Sequence, residues 1–128
     1  KIWSHQQVLS TAINPVSPKF ESSGAKNEEI INNIDITIPL EYPIIAPIMK
    51  FKNNIFHPNI STTGIICLDI LKDKWVPVYT IRTIIISIIS LLSDPNPDSP
   101  LNGQAAQLYN ESKLSTEGRR KYIKMINI

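Results

Sequence analysis

The chain is predicted to fold as a single α+β domain, and three observations carry that expectation. Apolar and polar residues alternate through Ile34, Asp35, Ile36, Thr37 and Ile38, the period of a half-buried strand. An apolar stripe of helical spacing covers Ile81, Ile84, Ile85, Ile88, Leu91 and Leu92, wide enough to lie against a sheet. Strand patterns come first and helical patterns after, which is the α+β order.

Taken in turn, residues 2–13 are mixed, with Trp3 and Val8-Leu9 as candidate strand anchors. Residues 14–29 hold Pro15, Pro18, Gly24 and few large apolar groups, and read as loop, in part disordered. Residues 30–38 read as a strand that Pro39 ends. Tyr42-Pro43-Ile44-Ile45-Ala46-Pro47 reads as a turn pinned by its prolines. Residues 48–51 form a short strand, with Ile48 and Lys50 on one side and Met49 and Phe51 on the other. Short links between successive strands make an antiparallel meander the simplest sheet. Residues 53–71 show no sustained period and read as a long, ordered surface segment, a kind of loop that is usually functional. Thr80 is the expected N-cap of the helix over 81–93. Three prolines in Asp94-Pro95-Asn96-Pro97-Asp98-Ser99-Pro100 exclude a helix interior there. Residues 104–110 and 115–125 are the closing helices. Gly118 within the last is expected to weaken it by about 1 kcal/mol relative to alanine.

At 128 residues the chain is one domain with room for a real core. Its net charge of +2 gives no bulk attraction for nucleic acid. Lys113, Arg119, Arg120, Lys121 and Lys124 face only Glu117 near the end; they read as a solvated helix face, with contact to an acidic partner as the alternative. The greasiest run, residues 81–92, contains Arg82 and falls short of the roughly 20 apolar residues of a membrane span.

Cys67 is the only cysteine. It has no internal disulfide partner, and with two histidines a cysteine-rich zinc site is out of reach. No signal-peptide pattern precedes it, so a reducing compartment, cytoplasm or nucleus, is expected. The thiol lies near His57, Asn59 and Asp69 in sequence, which leaves a buried structural thiol or a nucleophile.

Tyr42-Pro43 with Pro47, Phe56-His57-Pro58-Asn59, Gly64-Ile65-Ile66-Cys67-Leu68-Asp69-Ile70-Leu71, Trp75-Val76-Pro77 and Asp94-Pro95-Asn96-Pro97-Asp98-Ser99-Pro100 occur in one order. In that order and spacing the chain resembles the ubiquitin-conjugating enzymes, from about residue 34 to 109. Ser99-Pro100 with Gln104-Ala105-Ala106-Gln107-Leu108-Tyr109 is most similar to the branch that ubiquitylates histones and replication clamps in DNA-damage tolerance. The resemblance implies a four-stranded antiparallel meander packed on a central helix, with helices at the C-terminus. It also implies an enzyme that accepts ubiquitin from the activating enzyme as a thioester on Cys67. The ubiquitin then passes to a substrate lysine, with a RING-type or HECT-type ligase.

A thioester is already activated toward amines, so such an enzyme needs position and charge stabilisation more than a strong base. By resemblance Asn59 donates to an oxyanion or braces the loop carrying Cys67; as a bare residue it is a turn former. His57 can be a base, but the turn it shares with Pro58 favours a structural role. Asp69 and Ser99 flank the lysine's approach, where a carboxylate would orient the ammonium. The family carries Asp or Ser at the position of Ser99. Ser99-Pro100 suits a proline-directed kinase, and phosphorylation would supply the missing charge; the alternative is that Ser99 caps a turn. Ile44, Pro77 and Val78 would meet the ligase, with Trp75 partly core and partly ledge beneath them.

The resemblance implies no bound cofactor and no metal; ATP is consumed by the upstream activating enzyme. It implies no direct nucleic-acid or membrane partner. No helical pattern precedes the first strand, where the family has a basic helix, so the domain, residues 1–128, reads as truncated at its N-terminus or as carrying an atypical arm there. A cysteine hydrolase built on Cys67, His57 and Asn59 is a rival, disfavoured because Pro58 holds His57 and Asn59 in one rigid turn. A conjugating enzyme for a ubiquitin-like modifier is another rival, disfavoured by the lack of an insertion between Lys72-Asp73-Lys74 and Trp75. A non-catalytic ubiquitin-binding adaptor is the third; such variants typically lack the cysteine.

Overall fold

A computed structural model describes residues 7–13 and 32–126. Strands β1 (Gln7–Ile13), β2 (Asn32–Ile38) and β3 (Ile48–Phe51) precede helices α1 (Ile81–Ser93), α2 (Gly103–Leu114) and α3 (Thr116–Ile126). The α+β order therefore holds. The expectations for Trp3, for the loop over 14–29 and for the N-terminal helix fall outside the described residues.

The three strands pair antiparallel in chain order, with Leu9 opposite Ile36 and Ile34 opposite Phe51. This register places Asn32, Ile34 and Ile36 of β2 with Met49 and Phe51 of β3 in the interior. Ile48 and Lys50 stay exposed on the other face, as the alternation predicts. Ile84 and Ile88 of α1 are fully buried and join Ile34, Ile36, Met49, Phe51, Ile60 and Ile66 in one core. Each large side chain so buried contributes about 1.5–3 kcal/mol of transfer free energy. Thr80 caps α1 as expected: its hydroxyl accepts from the Thr83 amide at 3.2 Å, and the Thr83 hydroxyl accepts from the Thr80 amide at 3.4 Å.

Three expectations need correction. Among the described residues the sheet has three strands. Beyond β3, single bridges link Lys50 with Ile65 and Ile60 with Ile66. Phe51 N donates to Gly64 O at 2.9 Å. Gly64 has φ +90°, and a Cβ there would lie 3.0 Å from the Phe51 carbonyl carbon. Only glycine lets the chain pass this close to the edge of β3.

The segment over 53–71 is irregular chain as expected, but it is not wholly at the surface. His57, Pro58, Asn59, Ile60 and Ile66 are buried in it. Four of them are consecutive and lie on irregular chain, so no period of two or 3.6 is there to be read.

The third correction concerns Gly118. A Cβ on it would sit 2.6 Å from the Glu111 carbonyl carbon of α2. The glycine is what allows α2 and α3 to pack, and alanine there would clash with backbone. The helices are joined by Ser115 alone. Its amide donates to Glu111 O at 3.2 Å and its hydroxyl accepts from the Gly118 amide at 2.9 Å. One residue thus closes α2, four residues later than the pattern predicts, and caps α3. The pair docks on the rest through aromatic rings. Tyr122 lies 5.4 Å from Tyr109 and 6.4 Å from Phe56 between centroids.

Candidate active site

Three consecutive residues, His57, Pro58 and Asn59, each hold a different part of the chain. Nε2 of His57 donates to the Leu91 carbonyl near the end of α1 at 2.9 Å. Its Nδ1 accepts from the Asn59 backbone amide at 3.0 Å. Because Nδ1 accepts, Nε2 carries the proton. Burial pushes the His57 pKa down to about 4, against hydrogen bonds to the Leu91 and Leu92 carbonyls that raise it. The imidazole is therefore neutral at pH 7 and both its nitrogens are occupied. It has no free lone pair for Cys67, which removes the cysteine-hydrolase arrangement.

The Pro58 carbonyl accepts from Leu101 N at 2.8 Å and Asn102 N at 3.1 Å. These bonds tie down the chain just before α2, whose first turn Asn102 caps through the Ala105 amide. Asn59, 1% exposed, holds the proline-rich loop over 94–100. Its Nδ2 donates to the Asn96 carbonyl at 2.6 Å and the Ser99 carbonyl at 3.2 Å, and its Oδ1 accepts from the Asn96 amide at 2.8 Å. Both amide hydrogens are thereby in use. The Asn59 backbone carbonyl accepts from the Cys67 amide at 2.9 Å.

Cys67 is partly exposed on irregular chain between Ile66, which is buried, and a three-residue 3-10 turn over Asp69–Leu71. The Asp69 carbonyl accepts from Lys72 N and Lys74 N, which folds the Lys72-Asp73-Lys74 segment into a tight turn. The Asp69 and Ser99 side chains are both on exposed residues. Among the described residues no group of three His, Cys, Asp or Glu could hold a metal ion. None of the helices described is long and apolar enough to cross a membrane.

The site is thus a partly exposed thiol on a braced loop, with His57 engaged at both nitrogens. The family model described as "Ubiquitin-conjugating enzyme" matches residues 21–123. The chain belongs to the ubiquitin-conjugating enzyme family. Over 77 residues, 59% of the chain, it is 53% identical to "Ubiquitin-conjugating enzyme E2 1" of Schizosaccharomyces pombe. Over 86 residues, 67% of the chain, it is 49% identical to "Ubiquitin-conjugating enzyme E2 3" of Arabidopsis thaliana. The matches span 36% and 56% of those relatives' lengths. Among solved structures it is similar to the E2 domain of a Toxoplasma gondii ubiquitin conjugating enzyme. That match has a TM-score of 0.67 and 41% identity, covering 75% of this chain and 64% of that one.

In this member of the ubiquitin-conjugating enzyme family, the residues expected to meet a ligase form a second surface. Ile44 is 73% and Val78 78% exposed, and Pro77 is exposed between Val76 and Val78. The two loops are fastened together by Trp75, whose Nε1 donates to the Pro43 carbonyl at 2.9 Å. Its ring also lies 6.2 Å from Tyr42 and 6.0 Å from Tyr79. Trp75 packs against the core from its partly buried position, the ledge the sequence predicts.

The structure thus joins His57, Asn59, Cys67 and the Ser99 backbone in one hydrogen-bonded network. It leaves the Asp69 side chain outside that network, two residues from the thiol. Sequence reasoning missed Asn96, whose amide and carbonyl both bond Asn59. The signal was available: an asparagine between Pro95 and Pro97 has a fixed backbone ready to be gripped.

Proposed function

We propose that the chain accepts ubiquitin as a thioester on Cys67 and passes it to a substrate lysine. The observation that carries this reading is the pairing of a partly exposed thiol with a backbone anchored to Asn59, while both nitrogens of His57 are engaged elsewhere. Such a site positions an acyl group that is already activated. Asn59 acts as the brace of the two loops. His57 is scaffold. Asp69 and Ser99 border the lysine's path, and the Ser99 hydroxyl is the point where phosphate would add charge. Ile44, Pro77 and Val78 receive a RING-type or HECT-type ligase.

The activating enzyme, ubiquitin and lysine-bearing proteins are then the partners, in the cytoplasm or nucleus, with ATP used upstream. The branch acting in DNA-damage tolerance and on histones is the sub-family we favour, from the Ser99-Pro100 and Gln104–Tyr109 similarity. A fourth strand beside β3 belongs to this reading, and the single bridges Lys50–Ile65 and Ile60–Ile66 support it. The tight turn at Lys72-Asp73-Lys74 favours ubiquitin over the small ubiquitin-like modifier. Incubation with activating enzyme, ubiquitin and ATP tests the reading. It predicts an adduct about 8.5 kDa heavier, cleaved by reductant and lost in Cys67→Ala. No adduct on an otherwise folded protein would favour the non-catalytic adaptor, and loading only by a ubiquitin-like modifier would reassign the substrate.

A further inference from the structure

An open groove of about 550 Å³ lies beside the surface assigned to the ligase. Ile44 and Ile45 of the proline turn, Ile48 of β3, Ile65, Lys72 and Trp75 line it. Ile44 belongs both to the groove and to the ligase surface, so the two are continuous. Ile45, Ile48 and Ile65 are 50%, 60% and 51% exposed. Aliphatic side chains left this open side by side mark a surface meant to be covered. Neither the core nor the Cys67 network uses them.

Charge narrows the choice of what covers them. Lys72 is the one charged residue lining the groove, and it makes no ion pair among the described residues. Lys50, on the outward face of β3 with Ile48, adds a second exposed cation. Asp35 is the acid opposite Lys50, and it pairs with Lys52 at 3.6 Å. The groove's volume is that of a site for a drug-sized or short-peptide ligand. A partner held at Ile44 and Val78 would carry its adjoining chain directly over this opening.

We infer that the groove takes a short segment of the ligase next to the part that grips Ile44 and Val78. That segment presents an aliphatic or aromatic side chain to Ile45, Ile48 and Ile65, and a carboxylate to Lys72. The inference rests on the ligase-docking reading of Ile44, Pro77 and Val78. It extends that interface along the molecule, and it makes a small apolar contact depend on an acidic neighbour for its register.

The probe is the RING-type ligase fragment, from a purified panel, that most accelerates loss of ubiquitin from Cys67 to free lysine. Half-saturating ligase concentration is measured for wild type, Ile48→Ser, Lys72→Glu and Ile44→Ala. Ile48 is exposed, so Ile48→Ser should keep the wild-type melting temperature and the discharge rate without ligase. Ile48→Ser and Lys72→Glu should each raise the half-saturating concentration about five- to tenfold. Replacing an acidic residue of the fragment by lysine should recover most of the loss in Lys72→Glu, as a register contact requires. If Ile44→Ala loses stimulation while Ile48→Ser and Lys72→Glu stay within about twofold of wild type, the groove proposal fails and the docking reading stands. If Ile44→Ala also changes nothing, or no fragment accelerates discharge, both fall. A loss that appears instead in free-ubiquitin binding or self-association assigns the groove to ubiquitin or to a second copy, and overturns the proposal.

Discussion

Asn59→Ala separates two roles that an asparagine at this position can have. In the structure its side chain makes three hydrogen bonds to the loop over 94–100, two through Nδ2 and one through Oδ1. Each such bond contributes about 1 kcal/mol net, so removing the group costs up to about 3 kcal/mol. Asn96 is exposed, and water recovers part of what its amide and carbonyl lose. The expected destabilisation is about 2 kcal/mol, a fall of about 6–10 °C in Tm for a domain of this size. Urea denaturation measures it, and amide hydrogen exchange at Asn96 should accelerate with it. Discharge of ubiquitin to free lysine should fall in step with loop order. A side chain that serves only as oxyanion donor predicts a different result. Stability would hold within about 0.5 kcal/mol and Asn96 would stay protected, while single-turnover discharge drops about a hundredfold. That outcome would refute the bracing role.

Three further results are expected. Gly118→Ala, which helix propensity alone would make stabilising by about 1 kcal/mol, should instead destabilise by about 1–3 kcal/mol, because the new methyl meets the Glu111 carbonyl; a raised Tm would contradict the packing. His57 has a folded pKa of about 4 against 6.5 unfolded, so the unfolded chain binds the extra proton as pH falls. Its contribution is complete above about pH 6.5 and is lost toward pH 4, about 3 kcal/mol in total; denaturation across this window should show a slope that His57→Gln lacks. Ser99→Asp should discharge ubiquitin to free lysine about tenfold faster than Ser99→Ala if a carboxylate there gains about 1.4 kcal/mol with the incoming ammonium; equal rates would end the phosphorylation hypothesis.

The regular elements were legible because each repeats its pattern over a face. Ile34 and Ile36 alternate into the core, and Ile84 and Ile88 recur one helical turn apart. Thr80 was readable as a cap because its chemistry is local. What escaped was everything settled by a single close approach. Gly118 looks like a weak helix residue until the Glu111 backbone is placed against it. Gly64 shows no signal in the sequence for its close pass along the edge of β3 at positive φ. Ile60 and Ile66 are buried in the same core and bridged to each other from irregular chain, which leaves no period to read. The candidate site was legible by residue type at Cys67, Asn59 and His57, but the partners of Asn59 lie 37 and 40 positions away, beyond any local pattern.

That distance explains how a thiol on irregular chain can be held without a helix or strand beneath it. His57 fixes the end of α1, the Pro58 carbonyl fixes the approach to α2, and Asn59 fixes both the proline loop and the Cys67 amide. Pro58 sets the backbone between two of these anchors, so they cannot rotate independently. Loosening any one of the three therefore slackens the frame in which Cys67 and Ser99 are placed. A neutral, fully bonded His57 suits this task better than a titrating one, since protonating Nδ1 would break its bond to the Asn59 amide. If Cys67 carries the acyl group as proposed, an attacking amine needs its target held still, and His57 serves that need as part of the frame.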